Sequence, residues 1–379
     1  MKIAFFISPA HAVPPEQNKI LAPWWIVRDV ADGLVKRGHD VTVFAGKGSK
    51  TLAKIIDLGI EPFDDLQQTM TEKEFQSFAT FQEQRMASYM YEMSTKGSFD
   101  IIGNHLVLKT LPFARFTNTP TVYTLHDPIT PDKLLHYQEY RDVKTIQYVA
   151  ISKAQKAGVD LPFAGVVYNG ISVEDYPIGF GDGGYLLCVG RIRKEKGVAD
   201  AIEASQNTKH RLLITGEHFE QYPELKTYWE SEVFPHIDGK NIMYESVLPK
   251  EALHQRYGNA KALLFPIHWE EPFGLVMIES MACGTPVIAY NRGSVSEIVS
   301  DGVTGFIIED ETNESYKSNK TNPSNFIIKQ KGIAGLVEAI KRIGEIDRAA
   351  CRKHVEDHFT VERMVDGYEK VYEKVLGGI

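Results

Sequence analysis

The chain has 379 residues, 43% of them apolar, with 42 basic against 50 acidic residues and a formal net charge of −8. That length supplies two ordinary domains with a core each, and the acidic balance leaves no basic footprint for nucleic acid, which is excluded as an expected partner. Three scattered cysteines, Cys188, Cys283 and Cys351, fit neither a disulfide framework nor zinc spacing, so a reducing, cytoplasmic setting is expected.

Residues 2–8 form an apolar run too short to span a membrane and without a small-residue cleavage site, read as a first strand. Peripheral contact at the inner membrane surface is left open. Short β-rich runs follow at 41–45, 101–104, 121–125, 148–151 and 166–168, interleaved with helical segments such as 26–36, which Gly38 closes. This alternation predicts a parallel, doubly wound sheet. A second series of strands is expected at 185–190, 211–215, 241–244, 262–265, 286–290 and 306–308. Between the two series, the glycine-rich stretch 177–184 suits a hinge, with the boundary placed within 172–183. A helix over 361–375 carries Val365, Tyr368 and Tyr372 at helical spacing. The polar stretch 311–324 reads as an exposed loop, and Asn313 and Asn319 within it as loop residues rather than glycosylation acceptors.

The chemistry concentrates in the second series. The run Glu271-Pro-Phe-Gly-Leu-Val-Met-Ile-Glu279 places a turn before a helix whose first amides, near Gly274 and Leu275, lack intrahelical partners and favour an anion. Glu279, on the same element, offers a carboxylate to hydroxyls. Spacing alone is weak, because Glu195 and Glu203 are also eight apart. In Tyr185-Leu-Leu-Cys-Val-Gly-Arg-Ile-Arg-Lys-Glu-Lys-Gly197 a strand runs into a basic loop, where Arg191 presents a planar fork and Lys196 a mobile point charge to phosphate, while Arg193 and Lys194 read as solvated. His126 ends the 121–125 strand, where a doubly wound sheet meets its ligand. His11, His105 and His268 read as structural.

Glu271-Pro-Phe-Gly-Leu-Val-Met-Ile-Glu279, with Cys283-Gly-Thr-Pro-Val-Ile-Ala289, Arg292-Gly-Ser-Val-Ser-Glu-Ile-Val299 and Asp301-Gly-Val-Thr-Gly305, resembles the retaining glycosyltransferases of family 4. The resemblance implies a GT-B fold, an α/β architecture of two Rossmann-like domains facing each other across a cleft. Residues 1–175 would be the acceptor side, completed by 361–379, and 176–360 the nucleotide-sugar side. It implies transfer of a sugar from a nucleotide-diphosphate sugar, a UDP- or GDP-sugar, to a hydroxyl of a sugar, lipid-linked or small-molecule acceptor, with no obligatory metal and no cofactor beyond that co-substrate.

The same resemblance makes Glu271 and His126 catalytic, Glu271 beside the reacting sugar carbon. Arg191 and Lys196 then take the diphosphate, Glu279 the ribose, and the amides of Phe273, Gly274 and Leu275 phosphate or sugar oxygens. Family members commonly carry Gly-Gly after the first strand; Leu21-Ala-Pro-Trp-Trp25 stands in that region here, read as a loop of core anchors or a stacking platform. Two rival readings share the fold: a non-hydrolysing sugar-nucleotide epimerase, and a non-catalytic sugar-nucleotide-binding protein.

Overall fold

A computed structural model describes residues 1–16, 21–218, 222–311 and 326–378. Apart from Glu311, the expected polar loop 311–324, with Asn313 and Asn319, lies outside the described residues. The chain divides into two units, Met1–Gly170 with Val361–Ile379, and Ile171–Thr360.

In the first unit, β1 (Lys2–Phe6), β2 (Asp40–Phe44), β3 (Lys54–Ile56), β4 (Ile101–Asn104), β5 (Thr121–Leu125), β6 (Ile146–Ala150) and β7 (Phe163–Val166) form a parallel sheet in the order β3-β2-β1-β4-β5-β6-β7. Side-chain alternation sorts β1 between two cores. Ile3 and Phe5 pack with the helices Ala22–Lys36 and Val361–Gly377, through Val27, Val30, Val365, Tyr368 and Tyr372. Ala4 and Phe6 pack with Ala79, Met86 and Met90 of the helix Glu72–Thr95. That long helix starts on a capping box, Thr71 and Glu74 satisfying each other's backbone amides.

Three expectations are corrected here. The helix expected at 26–36 begins at Ala22, because Pro23 is tolerated in a first turn; Leu21 to Trp25 is therefore a helix start and not a loop. Trp24 packs against the first core and donates its indole N–H to the Ser8 carbonyl at 3.1 Å, which makes it an anchor. The last strand lies at Phe163–Val166 instead of 166–168, and the short β3 at the sheet's edge was not expected.

The second unit holds β8 (Tyr185–Val189), β9 (Arg211–Thr215), β10 (Ile242–Glu245), β11 (Leu263–Phe265), β12 (Val287–Tyr290) and β13 (Gly305–Ile308), all parallel, in the order β10-β9-β8-β11-β12-β13. The expected hinge 177–184 is instead stapled into this unit. Gly179, Gly181 and Gly183 donate their amides to the carbonyls of Cys283, Gly258 and Asn259, and the Arg348 guanidinium binds the carbonyls of Gly179, Gly258 and Ala260. Glycine is needed there for close approach: a Cβ on Gly179 would sit 2.1 Å from the Gly258 oxygen. No helix of the described residues is long and apolar enough to cross a membrane.

Candidate active site

In the second sheet the strand order reverses between β8 and β11, which pair at Leu187 and Leu263. Loops leaving the carboxyl ends of two strands that diverge in this way enclose a crevice, the place where open α/β sheets hold ligands. Arg191 and Lys196 leave β8; Glu271, Phe273 and Gly274 leave β11, and the helix Leu275–Ala282 begins there. Topology alone thus gathers the second-half residues picked out in the sequence.

Two contacts clamp these loops together. The His268 amide donates to the Glu195 carbonyl at 2.8 Å. Gly197, at φ +68°, approaches so closely that a Cβ would lie 1.8 Å from the Pro266 oxygen. As a result Lys196 Nζ donates to Glu271 Oε2 at 2.8 Å, with the two side chains only 16% and 11% exposed. The same carboxylate oxygen accepts the Trp269 indole N–H at 3.0 Å, and the ammonium lies 4.2 Å from the centre of that indole. Lys196 was expected to face phosphate; its partner in the structure is Glu271. Arg191 is exposed and lines a small cavity with Gly190, Lys196, Val198 and Phe265. Arg193, expected to be solvated, is half-buried and pairs with Glu195 at 3.5 Å.

Gly274, at φ +79°, caps the helix Leu275–Ala282, and among the described residues the amides of Gly274 and Leu275 have no hydrogen-bond partner. They are the free donors at a positive helix end. Phe273 is held in place, its ring buried against Phe359 and its carbonyl accepting the Ser294 hydroxyl at 2.7 Å. One turn into the helix, Glu279 accepts from the buried Tyr257 hydroxyl at 3.0 Å, and burial pushes its carboxyl above the usual range.

Behind the Glu271 loop lies a polar network that the sequence did not announce. His268 sits with Nε2 3.2 Å from Asp200 and Nδ1 3.3 Å from Asp310. Both neighbours are carboxylates, and the hydrogen bond to Asp200 raises the imidazole's pKa. Arg292 bonds Asp310 at 3.0 Å and reaches Glu270 at 3.4 Å; Gly293 and Ser294 donate their amides to Glu270 Oε2 and the Glu271 carbonyl. Because its members lie as much as 110 positions apart, from Asp200 to Asp310, no local pattern reveals them.

His126 belongs to the first unit, at the carboxyl end of β5. Its Nε2 meets Nδ1 of His105 at 2.7 Å, and desolvation lowers its pKa to about 4. His105 was expected to be an ordinary structural histidine; its contact with His126 is the connection that sequence reasoning missed. At the same edge Ser8 donates to the buried Glu83 at 2.6 Å, and Lys109 pairs with the other oxygen of that carboxylate. A cavity of this unit, about 400 Å³, lies elsewhere, at the amino ends of β1 to β3 beside Lys2, Asp40 and Lys54, the edge opposite the one where such sheets bind ligands.

Residues 178–319 match the family described as glycosyl transferases group 1. The chain is 26% identical over 316 residues to the putative glycosyltransferase YtcC of Bacillus subtilis, covering 74% of each protein. It is 27% identical over 192 residues to an uncharacterized 41.2 kDa protein in the cps region of Klebsiella pneumoniae, spanning about half of both, 50% of this chain and 46% of that relative. The Anabaena protein HepE, solved in complex with UDP-glucose, superposes over 100% of each chain with a TM-score of 0.68 at 16% identity. The two parallel α/β units and the likeness to solved structures show a GT-B fold. The match to the group 1 glycosyl transferases lies within the second unit, and the likeness to the solved structures is one of fold.

Proposed function

We propose that the protein is a retaining glycosyltransferase that moves a sugar from a nucleoside diphosphate sugar to an acceptor hydroxyl, with no obligatory metal. UDP is the first choice of nucleotide and GDP the second. The observation that carries this reading is the crevice between β8 and β11, at which the loop bearing Arg191 and Lys196 meets a helix start whose two first amides have no partner among the described residues. Four donors of this kind neutralise a departing diphosphate in the way a divalent cation otherwise does. UDP is preferred because HepE, of the same fold, binds UDP-glucose.

In this reading the sugar nucleotide draws Lys196 from Glu271 onto its phosphate oxygens. Glu271 then faces the sugar, positioned by the Trp269 N–H, and Glu279 accepts hydrogen bonds from the ribose. His126 contributes a neutral imidazole, held in that state near pH 7 by its low pKa. The departing phosphate itself takes the acceptor proton as the new bond forms on the same face, so no enzyme nucleophile is needed. A sugar, a lipid-linked sugar or a small polyol serves as acceptor, and the protein works in the cytoplasm at or near the inner membrane surface.

Calorimetric titration of UDP, with chelator present, tests the donor half. Micromolar binding, about −8 kcal/mol, weakened tenfold or more in Glu279→Gln, is expected; metal-dependent binding, or equal binding by the variant, contradicts the assignment.

A further inference from the structure

The two histidines at the carboxyl edge of the first sheet form a unit whose protons can be placed. His105 follows β4 and His126 follows β5, neighbouring strands, and their ring planes lie 24° from parallel with centroids 5.0 Å apart. Nδ1 of His105 and Nε2 of His126 are 2.7 Å apart, so one carries the shared proton and the other accepts it. Both rings are firmly held. His105 is 7% exposed, its amide donates to the Phe6 carbonyl at 2.8 Å, and its ring packs on Phe5 and Tyr368. The backbone at His126 is gripped from both sides, because the Gln155 side-chain amide donates to the carbonyls of Leu125 and Asp127 at 2.9 and 2.8 Å.

The far nitrogen of His105 decides between the two arrangements. Nε2 is buried and has no hydrogen-bond partner among the described residues. If His126 donated to His105, the remaining proton of a neutral His105 would sit on that buried Nε2 as an N–H with no acceptor. If His105 donates, Nε2 is a bare lone pair. Orphaned buried N–H groups are the rarer and costlier omission. Both imidazoles are neutral near pH 7, since burial lowers the pKa of each. His105 therefore donates through Nδ1–H, His126 accepts at Nε2, and the proton of His126 is left on Nδ1.

The geometry points to His105 as a positioning residue that fixes the tautomer of His126, so that His126 presents Nδ1–H as a hydrogen-bond donor to an oxygen of the bound sugar nucleotide or acceptor. Nδ1 of His126 makes no hydrogen bond among the described residues, which leaves it available. Without His105, the ring is free to take either tautomer, and in the Nε2–H form the same edge carries a lone pair that repels a hydroxyl or phosphate oxygen in place of binding it. The part that concerns substrate rests on the assignment of His126 to the active site; the tautomer does not.

Protein with 15N-labelled histidine side chains, read at pH 7 by multiple-bond 1H–15N correlation and assigned with a His126→Phe control, tests this directly. His126 is expected as a neutral Nδ1–H imidazole in the wild type. His105→Asn, whose amide nitrogen can donate from near the Nδ1 position, is expected to keep that form; His105→Phe, or His105→Leu if the larger ring does not fit, is expected to move it to Nε2–H. An Nε2–H tautomer in the wild type overturns the inference without recourse to any variant, and so does an unchanged tautomer in the apolar variants. In parallel, donor turnover is expected to fall about 10²-fold in the apolar variants and to recover in His105→Asn, with UDP binding retained by calorimetry. A changed tautomer with unchanged turnover overturns the presentation to substrate. Loss of UDP binding by the wild type instead overturns the glycosyltransferase assignment and leaves the tautomer standing.

Discussion

At the scale of single residues, the candidate site is a set of paired charges. Lys196 and Glu271 hold each other in a nearly dry setting, where breaking a pair strands a charge. Lys196→Ala therefore removes the proposed phosphate donor and leaves the Glu271 carboxylate, among the described residues, with the Trp269 N–H. Turnover measured with saturating donor is expected to fall 10²- to 10³-fold, the usual cost of one electrostatic donor. Tyr257→Phe is a milder change, taking from Glu279 the hydroxyl that orients it; calorimetry is expected to show UDP affinity down about tenfold, or 1.4 kcal/mol. Arg191, Lys196 and Glu271 could be singled out in the sequence because each lies in a loop with a glycine between strand and helix, and Glu279 because it lies on the helix that follows, within the motifs that carry the family resemblance. Tyr257, His105 and His268 were not, since their partners lie from 21 to 68 positions away and only the parallel sheet brings them near.

At the scale of elements, glycines decide how closely the loops pack. Gly293, at φ +54°, would place a Cβ 2.2 Å from the Glu271 carbonyl oxygen and 2.4 Å from its amide nitrogen. Gly293→Ala must push the Glu271 loop outward; turnover is expected to collapse while the circular dichroism of the sheet survives. His268 adds a pH dependence to this loop. Its folded pKa is raised, so its contribution is complete below an unfolded value near 6.5 and is lost as pH rises through the folded value. UDP affinity is expected to weaken on the alkaline side, and a His268→Gln variant to show a flat profile there. Most strands stood where apolar runs ended in glycine or a polar turn. The exceptions have local causes: β7 is only four residues and contains Gly165, β3 is a three-residue edge, and Trp24 and Trp25 hid a helix start that Pro23 in fact supports.

At the scale of the whole molecule, the C-terminal segment is part of the first unit's core and not an appendage. Met364, Val365, Tyr368, Val371, Tyr372 and Val375 are buried. At about 1.5 to 3 kcal/mol each, they contribute on the order of the 5 to 15 kcal/mol that stabilises an entire domain. A chain ending at Thr360 is expected to lose the first unit to limited proteolysis while the second, which contains the described residues from Ile171 to Thr360, stays resistant. Acid acts on the first unit in a related way: His126 titrates near 4 when folded and near 6.5 when unfolded. The unfolded chain binds the extra proton between those values, so stability falls as pH drops from about 6.5 to 4.

The most direct test of the account is a crystal structure of the protein with UDP. The diphosphate is predicted to lie against the Gly274 and Leu275 amides at the start of the helix Leu275–Ala282, with Lys196 turned from Glu271 to phosphate and the ribose on Glu279. A nucleotide bound elsewhere, for instance in the cavity beside Lys2, Asp40 and Lys54, with Lys196 and Glu271 still paired, would contradict it.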